Sequence, residues 1–279
     1  MKLSVFLIMI SLILPGCIFS QVESYYLGEK LIERVCHQKI KEIKGEMYKY
    51  ANGKMESNSK EVFLYGFDEK GNLIRKQMYS LRKNKIIANY EYKYDDVNVL
   101  IEETEYDASG SASLKCKYRY NSQGNLIERT KLKLNGKLSS TVLYKYNSDD
   151  QLIGEEWYSK NGTIYEDKKY NYNLGGKLSE EIHYDNNGVV NTHYLYNFNE
   201  LNLLSEKRSL YTDGNIYEKW VYEYDDDGKL AKEFHYFSDL KPEYFIEFIY
   251  DDLKNVNEFN LYTETGKISK TFKYIYTYY

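Results

Sequence analysis

Tyr222-Glu223-Tyr224-Asp225-Asp226-Asp227-Gly228-Lys229-Leu230 is the stretch on which the fold turns. Two aromatic residues alternate with a charge, which is the pattern of a strand with one apolar face. An Asp side chain at the entry of a turn accepts hydrogen bonds from backbone N–H groups just ahead of it, and Gly three places later supplies positive φ without steric cost. Those residue types in that order specify a three-residue hairpin loop ending in a glycine bulge. Asp225 then faces Lys229 and Tyr224 faces Leu230. Continued outward, the same register sets Trp220 against Phe234.

The stretch recurs. Aligning the second aromatic of each triplet gives Phe67, Tyr94, Tyr120, Tyr146, Tyr172, Tyr196, Tyr224, Tyr250 and Tyr276, with steps of 27, 26, 26, 26, 24, 28, 26 and 26. An Asx residue follows in eight copies: Asp68, Asp95, Asn121, Asn147, Asn173, Asn197, Asp225 and Asp251. The turn-closing slot holds Gly71, Asn98, Gly124, Asp150, Gly176 and Gly228, whereas Glu200 and Lys254 depart from it. Half a period later Tyr106, Tyr158, Tyr184 and Tyr262 each precede a Gly by four, at Gly110, Gly162, Gly188 and Gly266, and Leu132 with Gly136 fills the same slots. One unit of about 26 residues is therefore two strands and two tight turns, the architecture of a repeat protein. Ile216, Trp220, Tyr222 and Tyr224 share one face; Lys219 and Glu223 lie on the other.

Composition agrees. The 279 residues include 33 Tyr and only 2 Pro, a bias toward pleated sheet. With 38 basic against 42 acidic residues, the net charge of −4 excludes a dedicated nucleic-acid binder. The same profile excludes a disordered chain, a coiled coil and a helical membrane protein.

The strings Tyr222 to Leu230, Tyr118 to Leu126 and Tyr92 to Leu100 resemble the YD repeat of the RHS family, over roughly residues 60–279. In large RHS proteins such repeats build a spiralling β-sheet shell around a cargo. The resemblance implies that architecture here on a much shorter array, similar to small secreted or lipid-anchored bacterial YD-repeat proteins.

The expected fold is all-β: an antiparallel meander of about 16–18 strands. Open sheets rarely exceed ~10 strands without curling, and curling hides the aromatic face. A strongly curled sheet, barrel-like or an open half-shell, is expected, with a flat single layer as the alternative. Residues 39–279 form a single repeat domain of eight units, and 17–38 a tether with a short helix. Met1-Lys2 and the apolar run Leu3 to Leu14 have the form of a signal peptide. Leu14-Pro15-Gly16-Cys17 resembles a bacterial lipobox that would make Cys17 the lipidated first residue of the mature chain; ordinary cleavage after Ser20 is the alternative. The address is extracytoplasmic, at the bacterial cell envelope or otherwise periplasmic or secreted. Cys36 and Cys116 are free to pair or not in an oxidising compartment.

No nucleophile elbow, zinc-binding His-Glu-x-x-His or phosphate loop occurs in the chain. His183 and His193 flank one turn, with His183 expected opposite Asn191, and no further ligand recurs beside them. The reading assigns no catalytic residue, metal or cofactor, and places Asp68, Gly71, Asp95, Asn121, Gly124, Asn147, Asn173, Gly176, Asp225, Gly228 and Asp251 in structural turns. The function expected is a non-enzymatic structural or protein-interaction module of the envelope, touching the membrane through its lipid anchor only. The alternative is a carbohydrate or cell-wall binding module that stacks sugars on Trp157 and Trp220. An outer-membrane pore fits poorly, because Tyr recurs throughout rather than in girdles.

Overall fold

The computed structural model describes residues 35–83, 85–237 and 241–279; the leader and Cys17 lie outside them. Residues 35–38 form one helical turn, and most of the other described residues lie in strands. In chain order they are β1 (Ile40–Ala51), β2 (Lys54–Met55), β3 (Lys60–Phe67), β4 (Leu73–Tyr79), β5 (Ile86–Tyr94), β6 (Leu100–Tyr106), β7 (Ala112–Tyr120), β8 (Leu126–Lys133), β9 (Leu138–Tyr146) and β10 (Leu152–Ser159). The series continues with β11 (Ile164–Tyr172), β12 (Leu178–Asp185), β13 (Val190–Phe198), β14 (Leu204–Leu210), β15 (Ile216–Tyr224), β16 (Leu230–Tyr236), β17 (Tyr244–Tyr250), β18 (Val256–Thr263) and β19 (Ile268–Tyr278). The fold is an all-β antiparallel meander, as expected.

The described residues fall into two compact units. The first unit holds the described residues up to Gly45, with Glu61–Leu138 and Ile275–Tyr279. In it, β3 to β8 pair in succession, and the Tyr279 hydroxyl donates to the Phe67 carbonyl. The second unit holds Glu46–Lys60 and Ser139–Tyr274. There, β9 to β19 pair in succession, and the Tyr50 and Thr271 hydroxyls meet at 3.2 Å. In each unit the sheet is one layer thick, yet Tyr92 and Phe63 in the first and Tyr170 and Trp220 in the second are buried on its aromatic face. A sheet that hides one face without a second layer has to coil over it.

Every repeat turn has the same hydrogen bonds. At Asp225 the backbone N–H donates to the Lys229 carbonyl, the Gly228 N–H donates back to Asp225, and Asp225 Oδ1 accepts from Asp227 N–H at 3.0 Å and Lys229 N–H at 2.8 Å. Asp68, Asp95, Asn121, Asn147, Asn173 and Asp251 carry out the same task, each accepting from the backbone four residues on. The turn-closing slot stays left-handed even without Gly: φ is 65° at Asn98, 59° at Asp150 and 65° at Lys254. The half-period turns close the same way at Gly110, Gly136, Gly162, Gly188, Gly214 and Gly266.

Two expectations need correction. The anchor in the sixth triplet is Phe198, not Tyr196: Asn199 accepts from Leu201 and Leu203, and Asn202 takes φ 57°, so Asn197 lies in a strand and Glu200 in the loop's middle. With Phe198 the 24 and 28 steps both become 26. The hairpin register also slips by one residue next to each repeat turn. Tyr224 faces Leu230 as expected, but Glu223 faces Lys232, so Trp220 meets His235 and not Phe234. His183 likewise meets Thr192 rather than Asn191. An extra residue of this kind is a β-bulge, which bends the strand and adds right-handed twist.

The second tyrosine of each triplet ties its hairpin to the one before it. The hydroxyls of Tyr94 and Tyr120 donate to the carbonyls of Leu73 and Leu100 in the first unit. In the second unit Tyr172, Tyr224 and Tyr250 donate to Leu152, Leu204 and Leu230 at 2.7 to 2.9 Å. Phe198 holds the same position without a hydroxyl. Tyr172→Phe should therefore cost about 1 kcal/mol, because it leaves a half-buried carbonyl without its donor. Chemical denaturation read against Phe198→Tyr, which has no such bond to lose, checks it.

Candidate functional site

Three residues after each repeat Leu, the aromatic face carries a charge. In the first unit these are Lys76, Glu103 and Arg129, opposite Tyr65, Tyr92 and Tyr118. In the second they are Glu155, Glu181, Lys207 and Glu233, opposite Tyr144, Tyr170, Tyr196 and Tyr222, with Phe259 opposite Phe248 in the last copy. Lys76, Glu155, Glu181 and Glu233 are buried. An isolated buried charge is costly, so each needs a partner close by.

Tyrosine hydroxyls supply many of them. Tyr118 donates to Glu103 at 3.2 Å in the first unit; Tyr170 donates to Glu155 at 3.0 Å and Tyr196 to Glu181 at 2.6 Å in the second. In each case the donor stands 15 residues after the acceptor, on the following strand. Burial pushes the Tyr170 and Tyr196 hydroxyls well above their ordinary range, so they remain protonated donors. In the first unit Glu103 is held above the usual carboxylate range by burial, against the pull of Arg129, and burial pushes the neighbouring Cys116 thiol up to about 12. Cys116 is thus a buried thiol rather than a reactive one, and Cys36 is likewise free, its Sγ on the Lys70 carbonyl.

The second unit extends this pattern into a connected network. Trp157 Nε1 donates to Glu155 at 2.8 Å, and Lys168 lies 5.0 Å over the Trp157 ring and 3.7 Å from Glu166. His183 bridges Glu181 at 2.6 Å and Glu166 at 3.4 Å. Burial alone would lower the His183 pKa, but its bonds to Glu166 and Glu181 raise it on balance. Glu181 is lowered: burial opposes ionisation and is outweighed by His183 and Tyr196. The Lys207 ammonium sits 3.9 Å from the Tyr194 ring centre and 5.1 Å from that of Trp220, and burial lowers its pKa. Glu233 differs. The residue 15 places on is Phe248, which offers no hydroxyl, and burial pushes Glu233 up to about 7 against the attraction of Lys207.

Of the two tryptophans named as stacking candidates, Trp220 is buried and Trp157 half-buried. Trp220 is only 4% exposed, with Lys207 against its ring and His235 at 5.2 Å, so it presents no face to a sugar. Trp157 is packed between Lys168 and Tyr165. His183 and His193 fall on opposite faces; His193 bonds Glu180 at 2.8 Å. The period of 26 in the charged slot is visible in the sequence, but a pair such as Glu180-Glu181 alternates between the faces of its strand and nothing local marks which member is buried.

The opposite face is exposed and ionic at mid-strand. Glu102 meets Lys93 at 3.3 Å and Lys115 at 3.0 Å, and Arg119 meets Glu128 at 2.5 Å, in the first unit. Lys145 meets Glu156 and Arg208 meets Glu206 in the second. Strands that face hydrocarbon carry an apolar band at this height, whereas these carry ion pairs suited to water.

No protein-family model and no curated protein matches the chain. Among solved structures it is similar to a porin-like protein from Bacteroides uniformis ATCC 8492, at 11% identity over 85% of this chain and 98% of that one, TM-score 0.48. A porin-like protein from Bacteroides vulgatus ATCC 8482 is similar at 12% identity over 84% and 97%, TM-score 0.38. The Photorhabdus luminescens Tc holotoxin pore is similar at 9% identity over 75% of this chain and 19% of that one, TM-score 0.22.

Proposed function

We propose that this chain is a non-enzymatic repeat protein of the bacterial cell envelope, a small YD-repeat relative held to a membrane through Cys17, which acts as a structural or protein-interaction module. One observation carries the reading. The carboxylates that an enzyme would aim at a substrate are spent on neighbours: Glu155 on Trp157 and Tyr170, Glu181 on His183 and Tyr196. Such a network orders a polar interior and rewards one strand register, since a slip of one residue would turn the whole charged row to the other face. What remains for a partner is the exposed face with its ion pairs and the turns.

The test uses two variants in a strain deleted for the gene. Glu155→Gln with Glu181→Gln should lower the melting temperature of the purified protein yet complement the deletion below that temperature. Failure to complement with the fold intact would instead place those carboxylates in catalysis. Palmitate label should be incorporated by the native chain and absent from Cys17→Ser; label retained in the variant would defeat the anchor.

A further inference from the structure

The repeat makes departures from itself visible, and one turn in the second unit departs. The first residue of the half-period turns is Asp107, Lys133, Ser159, Asp185 and Thr263 in sister copies, and the same position is Tyr211 in the turn that Gly214 closes. The bulged residue after the turn, skipped between Leu210↔Ile216 and Ser209↔Glu218, is Tyr217; sister copies hold Ser113, Asn191, Ser269, Ile87 or Tyr165 there, and only beside Tyr217 does a tyrosine also open the turn. The two rings meet edge to face at 4.9 Å while staying 54% and 42% exposed, and Phe237, 50% exposed, extends the strip at 6.2 Å from Tyr217. Large aromatic rings left half in water at a turn, where the fold manages with Ser or Asp, are not there for the core.

Beside the strip lies a cleft of about 360 Å³, lined by Asn191, Thr192, Tyr194, Ser209, Thr212 and Glu218 as well as the two tyrosines. Apart from Val190 and Leu210 its lining is hydroxyl, amide and carboxylate, with no Lys or Arg among the lining residues. Among the described residues the nearest ionic neighbour of Glu218 is His235 Nε2 at 3.9 Å, beyond hydrogen-bond reach, which leaves its oxygens able to accept new donors. A carboxylate with free lone pairs accepts two O–H groups at once, and a ring face beside it packs against C–H groups. A ligand that carries vicinal hydroxyls on one side and an apolar C–H face on the other meets both demands. An anion does not, because it would meet Glu218 with no cation on the cleft wall.

We infer that the Tyr211–Tyr217 cleft binds a pyranose unit of a neutral glycan, the ring stacked on the tyrosines and its hydroxyls held by Glu218, Ser209 and Asn191. This goes beyond the scaffold reading, and its failure would leave that reading standing. Native gels containing one soluble polysaccharide at a time (dextran, laminarin, xylan, mixed-linkage β-glucan or, as the acidic comparison, polygalacturonate) test it on the mature chain. At least one neutral polysaccharide should retard the protein. Tyr211→Ala with Tyr217→Ala, both exposed positions whose fold circular dichroism can check, should weaken that retardation at least 10-fold, and Glu218→Gln several-fold. Tyr165→Ala, at the equivalent bulged tyrosine of another repeat, should migrate as the native chain does. Retardation by polygalacturonate alone, by none of the neutral gels, or undiminished in the double variant would overturn the site.

Discussion

Glu233→Gln will melt higher than the native chain at pH 8 and at the same temperature at pH 4. The carboxyl is 3% exposed, lacks the tyrosine donor that its counterparts at Glu155 and Glu181 receive, and has its pKa pushed up to about 7 by burial. Below pH 4.5, the ordinary value, it is protonated in both the folded and unfolded chains. Between there and about pH 7 the unfolded chain gives up the proton while the folded chain keeps it, so stability falls as pH rises. Above that the loss is complete. A displacement of this size corresponds to about 3 kcal/mol, or roughly 6–12 °C in a unit of this size. Glutamine keeps the shape of the protonated acid and has no charge to desolvate, so it escapes the loss. Lys207 is not stranded by the change, because Glu181 and Glu218 still act on it.

His183 adds to the same trend, since its raised pKa gives stability that is full below pH 6.5 and lost as pH rises through the folded value. Glu181 works in the opposite sense, its lowered pKa giving stability that is lost as pH falls. Neither contribution differs between the native chain and Glu233→Gln, so the difference between the two curves isolates Glu233. Equal differences at pH 4 and pH 8, or a variant that melts lower at pH 8, would show that the carboxyl is not held neutral by burial.

The hairpins were legible because turns are local. An Asx acceptor and a left-handed third residue sit within five positions, and side-chain chemistry alone dictates the loop that joins them. Lys254 shows how far the geometry extends past its own signature, since φ there is 65° without Gly or Asn. Phase was harder at Tyr196 because Tyr194, Tyr196 and Phe198 all alternate, and only the bonds at Asn199 choose between them. The bulge beside each turn left no trace in composition: adding one residue changes which side chains face each other without changing which are apolar. Pairings such as Trp220 with His235 are therefore properties of the folded ladder. The buried charges were hidden for a different reason. A Glu in a strand reads as solvent-facing unless the tyrosine that will satisfy it, 15 residues away on the next strand, is already known to be there. The glycan cleft depends on that frame as well, because Tyr211 stands out only against the Asp, Lys, Ser and Thr that open sister turns.

Gly45→Ala should destabilise the first unit by about 3 kcal/mol, near the upper end of what overpacking usually costs. Gly45 lies in β1, in an extended part of the chain where glycine has no conformational advantage. Its value is the space it leaves. A Cβ there would stand 2.2 Å from Phe63 Cε1 and 2.6 Å from Cδ1, closer than carbon atoms approach without one of them moving. Phe63 has little room to yield: it is 1% exposed and stacked on Tyr65 at 4.7 Å. Glycine in a strand interior is otherwise unfavourable, so its presence marks a close approach of ring to backbone. Phe63→Leu will lose packing by itself, but in the double variant the smaller side chain makes room for the alanine methyl. The two costs should then fall short of additivity by at least about 1 kcal/mol in urea denaturation. Strict additivity would mean that the ring and the β1 backbone are not in contact, and that the meander does not begin by seating Phe63 on glycine.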